Sequence, residues 1–165
     1  MFDEVFGLPM HPLMVHATVV MLPAAAITVG LAAAWPRFRR RAGVVPLVLS
    51  VLALVLVPIT VQSGKSLVER VDETALVATH QERGEGLLPF AIALAVTAAA
   101  LYWMHHRQTR SRDGDGDDTP RVYRVLRAAV AGLALVSAVA VTVQVIRVGH
   151  SGSEAAWSDT ELIDG

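Results

Sequence analysis

HPLMVHATVVMLPAAAITVGLAAAW, residues 11–35, is the stretch whose reading decides the fold. Nothing from Ala17 to Ala34 is charged, and the apolar residues run on without the every-second-residue alternation of a strand. A helix needs about 20 such residues to cross a hydrocarbon core, whereas a barrel strand needs about 10. Residues 13–35 therefore read as a membrane-spanning helix, and so do 44–61, 87–104 and 126–146. Composition agrees, because 53% of the 165 residues are hydrophobic while only 5% are aromatic, an Ala, Val and Leu balance typical of lipid-spanning chains. The expectation is an all-α integral membrane protein, one domain built as a four-helix bundle of up-down topology. An outer loop would occupy 62–86, a cytoplasmic linker 105–124 and an acidic C-terminal tail 150–165. Met1 to Met10 holds Asp3 and Glu4 and no basic residue, so it does not read as a cleavable signal peptide.

Basic residues set the expected orientation. Arg37, Arg39, Arg40 and Arg41 follow the first span, and Arg107, Arg110, Arg112, Arg121, Arg124 and Arg127 join the third to the fourth. The opposite side holds only Lys65, Arg70, Arg83 and Arg147, yet carries most of the acids, among them Glu69, Asp72, Glu73, Glu82 and Glu85. By the positive-inside rule both termini and the 62–86 loop are extracytoplasmic, as in a multi-pass membrane protein with its N- and C-termini out. Topology accounts for the arginines, and Asp113, Asp115, Asp117 and Asp118 oppose them, so no nucleic-acid partner is expected. The same aspartates resemble the start of a calcium loop but lack its downstream glutamate, and read as a solvated linker.

Small residues four apart offer flat strips for helix contact in lipid: Ala26, Gly30 and Ala34, then Ala91, Ala95 and Ala99, then Ala128 with Gly132 and Ala134 with Ala138. Pro23, Pro58 and Pro89 interrupt three spans, while Pro12 and Pro46 suit a first helical turn. Before the third span, Asp72 can cap a short helix bearing Leu76 and His80 on one face, with Gly84 and Gly86 as a hinge.

Up-down topology sorts His11, His16, His80 and His150 to the same membrane face, together with Gln62 and Gln144. An ionisable side chain in a span is costly and usually faces the bundle interior. His16, about four residues inside the first span, draws most attention on depth. One reading is haem b, with His16 and either His80 or His150 as axial ligands and Gln62 and Gln144 as polar lining. A second is zinc or copper held by His11, His16, His80 and His150, since cysteine is absent and thiolate sites are excluded. A third has no cofactor, the imidazoles tying helix ends by hydrogen bonds. His105 and His106 read as part of the basic stop after Tyr102 and Trp103. Gly149-His150-Ser151-Gly152 has the Gly-x-Ser-Gly form found around rhomboid-type protease nucleophiles, with His80 as an imaginable base. It closes the last helix, however, and such folds have at least six, so no catalytic residue is assigned and the glycine reads as a C-cap.

His11-Pro12-x-x-Val15-His16, Ser63-Gly64, His80 and Gly149-His150-x-Gly152 together make the chain resemble, over about residues 8–157, the family of small bacterial membrane proteins catalogued as domain of unknown function 2231. The resemblance implies a four-helix inner-membrane protein with outward-facing histidines and no settled activity. Members commonly follow the second histidine with an aromatic residue and proline, where this chain has Ala17 and Thr18. The expected function is an extracytoplasmic histidine-lined pocket that binds haem or a metal for redox or sensing, with an electron-transfer partner. The alternatives are a non-catalytic accessory or scaffold subunit of a membrane complex and a cofactor-free pH sensor built on the clustered histidines.

Overall fold

The computed structural model describes residues 4–5, 7–69, 74–111 and 121–158. Among them, strands β1 (Glu4–Val5) and β2 (Leu8–Pro9) form a two-residue antiparallel pair, turned at Gly7, whose φ of +77° is one that glycine adopts without strain. All else regular is helical: α1 (Met10–Ala34), α2 (Pro36–Ala42), α3 (Val45–Val68), α4 (Ala75–Glu85), α5 (Leu87–Ser111) and α6 (Arg121–Trp157). Four helical stretches are long and apolar enough to cross a membrane: α1, α3, α4–α5 as far as Arg107, and α6.

Local chemistry explains the breaks. Trp35 precedes Pro36, which bars it from helical backbone, so it is extended at φ −123° and α2 starts afresh. Gly43, at φ +55°, ends α2 with its amide on the Arg39 carbonyl. The α2 segment lays Arg39, Arg40 and Arg41 along one end of the bundle, where Arg107 also stacks over Trp103 at 3.9 Å and Tyr102 over His106. Arg39 is partly buried there, and desolvation, with Arg127 and Arg40 nearby, lowers its pKa from the ordinary arginine value. This is the arginine end; the other is the end where the described chain begins and finishes.

The four long helices form a ring in the order α1, α3, α5, α6, each packed on its two neighbours. Leu22, Ala25, Val29, Ala53, Val57, Leu94, Ala134 and Val141 fill the centre. Outward faces are equally apolar: Val20, Ile27, Val96, Val136 and Val139 are exposed, the pattern of helices solvated by lipid. Of the small-residue strips, Ala26, Ala91, Ala95, Ala134 and Ala138 are buried, and Gly30 faces the Ala138 methyl. Ala34 and Ala99 are exposed, because four-residue spacing drifts off a face that repeats every 3.6 residues, and Ala128 and Gly132 lie on an exposed face of α6. Between helices, the Thr18 and Thr60 hydroxyls meet at 2.7 Å and Tyr123 donates to the Met104 carbonyl at 3.0 Å.

Helices outrun the apolar spans. α6 continues through Gly149 to Trp157, so Gly149 is not a cap and the first part of the expected tail is helix. Thr74, accepting from the Val77 amide, caps α4, while Asp72 lies outside the described residues, as do Asp113, Asp115, Asp117 and Asp118. The expected hinge is slight: Gly86 separates α4 from α5 at a helical φ of −65°. Because α5 begins directly after it, Pro89 sits in a first turn instead of interrupting a span.

Candidate functional site

At the end opposite the arginines, α1, α3, α4 and α6 line a half-open cavity of about 860 Å³. His11 and His80 line it with their ring centres 6.5 Å apart and their planes at 73°. Each ring is seated on the end of another helix. His11 Nδ1 lies 3.2 Å from both the Thr60 carbonyl and the Ser63 hydroxyl of α3. His80 Nδ1 lies 3.3 Å from the Ser151 hydroxyl of α6.

These contacts favour one tautomer at each ring. Ser63 donates to the Thr60 carbonyl at 2.8 Å and Ser151 to the Val148 carbonyl at 3.0 Å, so each buried hydroxyl has spent its hydrogen and can only accept from histidine. With the hydroxyl hydrogens so directed, a neutral imidazole at either position donates from Nδ1 and keeps its lone pair on Nε2. Neither Nε2 has a hydrogen-bond partner among the described residues, neither is fully buried, and both residues line the cavity. A histidine whose far nitrogen is fixed by a hydroxyl or carbonyl is the usual outer-shell arrangement of a metal-binding imidazole.

Glycine makes the seating possible. A Cβ on Gly64 would lie 3.0 Å from His11 Cε1, and one on Gly152 would lie 3.0 Å from His80 Cε1. Ser63, Gly64, Ser151 and Gly152 are thus parts of the site. The recurrence of Ser-Gly at two helix ends was their signal in the sequence.

The other anticipated residues sit differently. His16 lies on the cavity wall but is exposed, its Nδ1 donating to the Pro12 carbonyl of its own helix at 2.6 Å. His150 is 70% exposed and pairs with Glu154 one turn on at 3.3 Å, so it is not brought to the ring pair. Gln144 donates to the Arg83 carbonyl at 3.1 Å, tying α6 to α4, and Gln62 is exposed; neither lines the cavity. Lys65 bonds Glu85 at 3.0 Å across α3 and α4. No three His, Cys, Asp or Glu residues converge to hold a metal among the described residues.

Ser151 beside His80 superficially matches a nucleophile and base. The Ser151 hydroxyl also donates to the Val148 carbonyl at 3.0 Å and the residue is 1% exposed, so it is buried and already partnered instead of being presented as a nucleophile. The same pairing at Ser63 and His11 marks a structural device used twice.

Four apolar helices, lipid-type outer faces and a largely apolar cavity bearing two histidines at one end define a multi-pass α-helical membrane protein. The chain belongs to the family of predicted membrane proteins designated DUF2231, whose model matches residues 7–162. No match was found among curated proteins or among solved structures.

Proposed function

We propose that the protein is a bacterial inner-membrane haem protein, with both termini outside, whose extracytoplasmic pocket holds haem b for electron transfer to a membrane partner. The observation that carries this reading is the pair of imidazoles, each with Nδ1 committed and Nε2 bare, lining one cavity. Their 6.5 Å separation is close to the spacing of two imidazoles on opposite faces of one metal, about 6.4 Å from metal–nitrogen bonds of about 2.0–2.1 Å and ring dimensions. With only two nitrogen ligands converging, a cofactor that brings its own equatorial donors suits the site better than bare zinc or copper. Two axial imidazoles would leave no open position, which favours electron transfer over oxygen chemistry. Apolar walls such as Val15, Val57, Val77 and Val148 suit a flat macrocycle.

The test is a visible spectrum of detergent-purified protein expressed with added haem, before and after dithionite, with metal analysis of the same sample. Sharp reduced bands of a six-coordinate b-type haem are the expected result. A colourless sample would sink the cofactor reading. Stoichiometric copper or zinc in it would replace haem by the metal, and neither would leave the accessory-subunit reading.

A further inference from the structure

The described chain divides into two helical hairpins, α1 with α3 and α4–α5 with α6. Adding 69 to every buried position of α1 gives a buried position of α5: Thr18 and Leu87, Leu22 and Ala91, Ala25 and Leu94, Ala26 and Ala95, Val29 and Ala98, Ala32 and Leu101. Adding 88 carries Pro46, Ser50, Ala53 and Ser63 of α3 onto the buried Ala134, Ala138, Val141 and Ser151 of α6; only Val57 lands on a half-buried residue, Val145. Any two helices with one buried face can be brought into phase, so burial alone would prove little. The same offsets, however, carry His11 onto His80 and Ser63-Gly64 onto Ser151-Gly152. They also superpose the contacts: Nδ1 to a serine hydroxyl in both, and ring atoms Cε1, Nδ1 and Nε2 at 3.0, 3.2 and 3.6 Å from the glycine Cβ position in both.

Within each hairpin the first helix runs towards the arginine end and the second returns, so the two units are related by a pseudo-two-fold axis down the bundle centre. The ring order agrees, with α1 diagonal to α5 and α3 diagonal to α6. A group on that axis meets both units alike.

We infer that the chain is a tandem pair of one helical hairpin, and that His11 and His80 are the equivalent halves of a single binding centre on the axis between them, each offering a bare Nε2 to one ligand. The ligand is one that accepts a nitrogen lone pair from two opposite sides, as the iron of a haem does; that identity rests on the function proposed above, whereas the two-fold centre does not. His16 and His150 stand outside it. Their counterparts are Glu85 and Gln62, so neither belongs to a repeated device.

Two measurements on the full-length protein test this. In ¹⁵N-histidine NMR of the apoprotein at pH 8, His11 and His80 should share the Nδ1–H tautomer, with Ser63→Ala shifting the His11 signals alone and Ser151→Ala those of His80 alone. An Nε2–H tautomer at either ring would overturn the inference. In the haem-loaded protein, His11→Ala and His80→Ala should each convert a six-coordinate low-spin spectrum to a five-coordinate high-spin one, reversed by added imidazole, with haem affinity falling at least tenfold in both. His16→Ala and His150→Ala should remain low-spin. A low-spin spectrum retained in His11→Ala would overturn the two-fold centre and leave haem binding standing. Failure of the wild-type chain to take up haem would overturn the function instead, and the tautomers would then decide the two-fold centre alone.

Discussion

A histidine at position 11 lies 7, 11, 14 and 18 residues before Thr18, Leu22, Ala25 and Val29, so it falls on the helix face that is buried throughout α1. His16 is off that face, so depth in the span singles it out while the backbone turns it away. That the span is helical was legible in the sequence; which of its faces is buried was not, because α1 is apolar all round. The support of each ring differs in one respect that can be measured. His11 keeps the Thr60 carbonyl as a second acceptor, whereas His80 has Ser151 alone. Ser151→Ala should therefore free the His80 tautomer more than Ser63→Ala frees that of His11, and should cost more ligand affinity, within the roughly 10- to 100-fold range typical of outer-shell partners. Comparing haem titrations of the two variants checks the order. Gly64→Ala and Gly152→Ala press a methyl on a ring at 3.0 Å and should each cost about 1–3 kcal/mol of stability, read as lower thermal unfolding temperature in detergent.

Among the elements, hydropathy located four spans because lipid demands continuous apolar helix, but it measures hydrocarbon thickness and not where backbone hydrogen bonding stops. α6 shows the difference: its 37 residues reach about 55 Å at about 1.5 Å each, far beyond the bilayer core, and its last turns carry Ser151 and Gly152 into the site. Composition alone makes Gly86 a hinge, yet its backbone is helical and an added Cβ would find only ordinary contacts, the nearest at 3.5 Å. Gly86→Ala should therefore join α4 to α5 and raise stability by about 0.4–1 kcal/mol, with amide exchange slowed around residues 84–88. A loss of stability together with weaker ligand binding would show that the break matters to the cavity. In the first hairpin, Thr18→Val removes a hydroxyl pair inside the bundle and should cost about 0.6 kcal/mol, the average for such bonds in a membrane bundle, with about 1.7 kcal/mol as the upper limit, read as lower thermal unfolding temperature in detergent.

For the whole molecule, the repeat escapes the eye because equivalent positions hold complementary side chains. Leu22 answers Ala91, Ala25 answers Leu94 and Ala32 answers Leu101. Two like faces meeting across an axis interdigitate by setting large against small, and that erases the sequence identity through which a repeat is normally noticed. The same symmetry makes orientation a question about the entire bundle, since both hairpins start and finish on one side and the site, the tail of α6 and the arginines must invert together. The arginine bias, read by the positive-inside rule, predicts that the site faces outward. Absence of native cysteine makes the check clean. Ser158→Cys, exposed just past the end of α6, should react with a membrane-impermeant maleimide in intact spheroplasts, and Ser111→Cys, at the last residue of α5, only after permeabilisation. The reverse pattern would put the two imidazoles on the cytoplasmic side, and an electron partner would then have to be sought there. It would also set Arg37, Arg39, Arg40 and Arg41 outside, away from the anionic cytoplasmic leaflet that attracts each such charge by about 1 kcal/mol, so the labelling result decides between the charge bias and the proposed face of the site together.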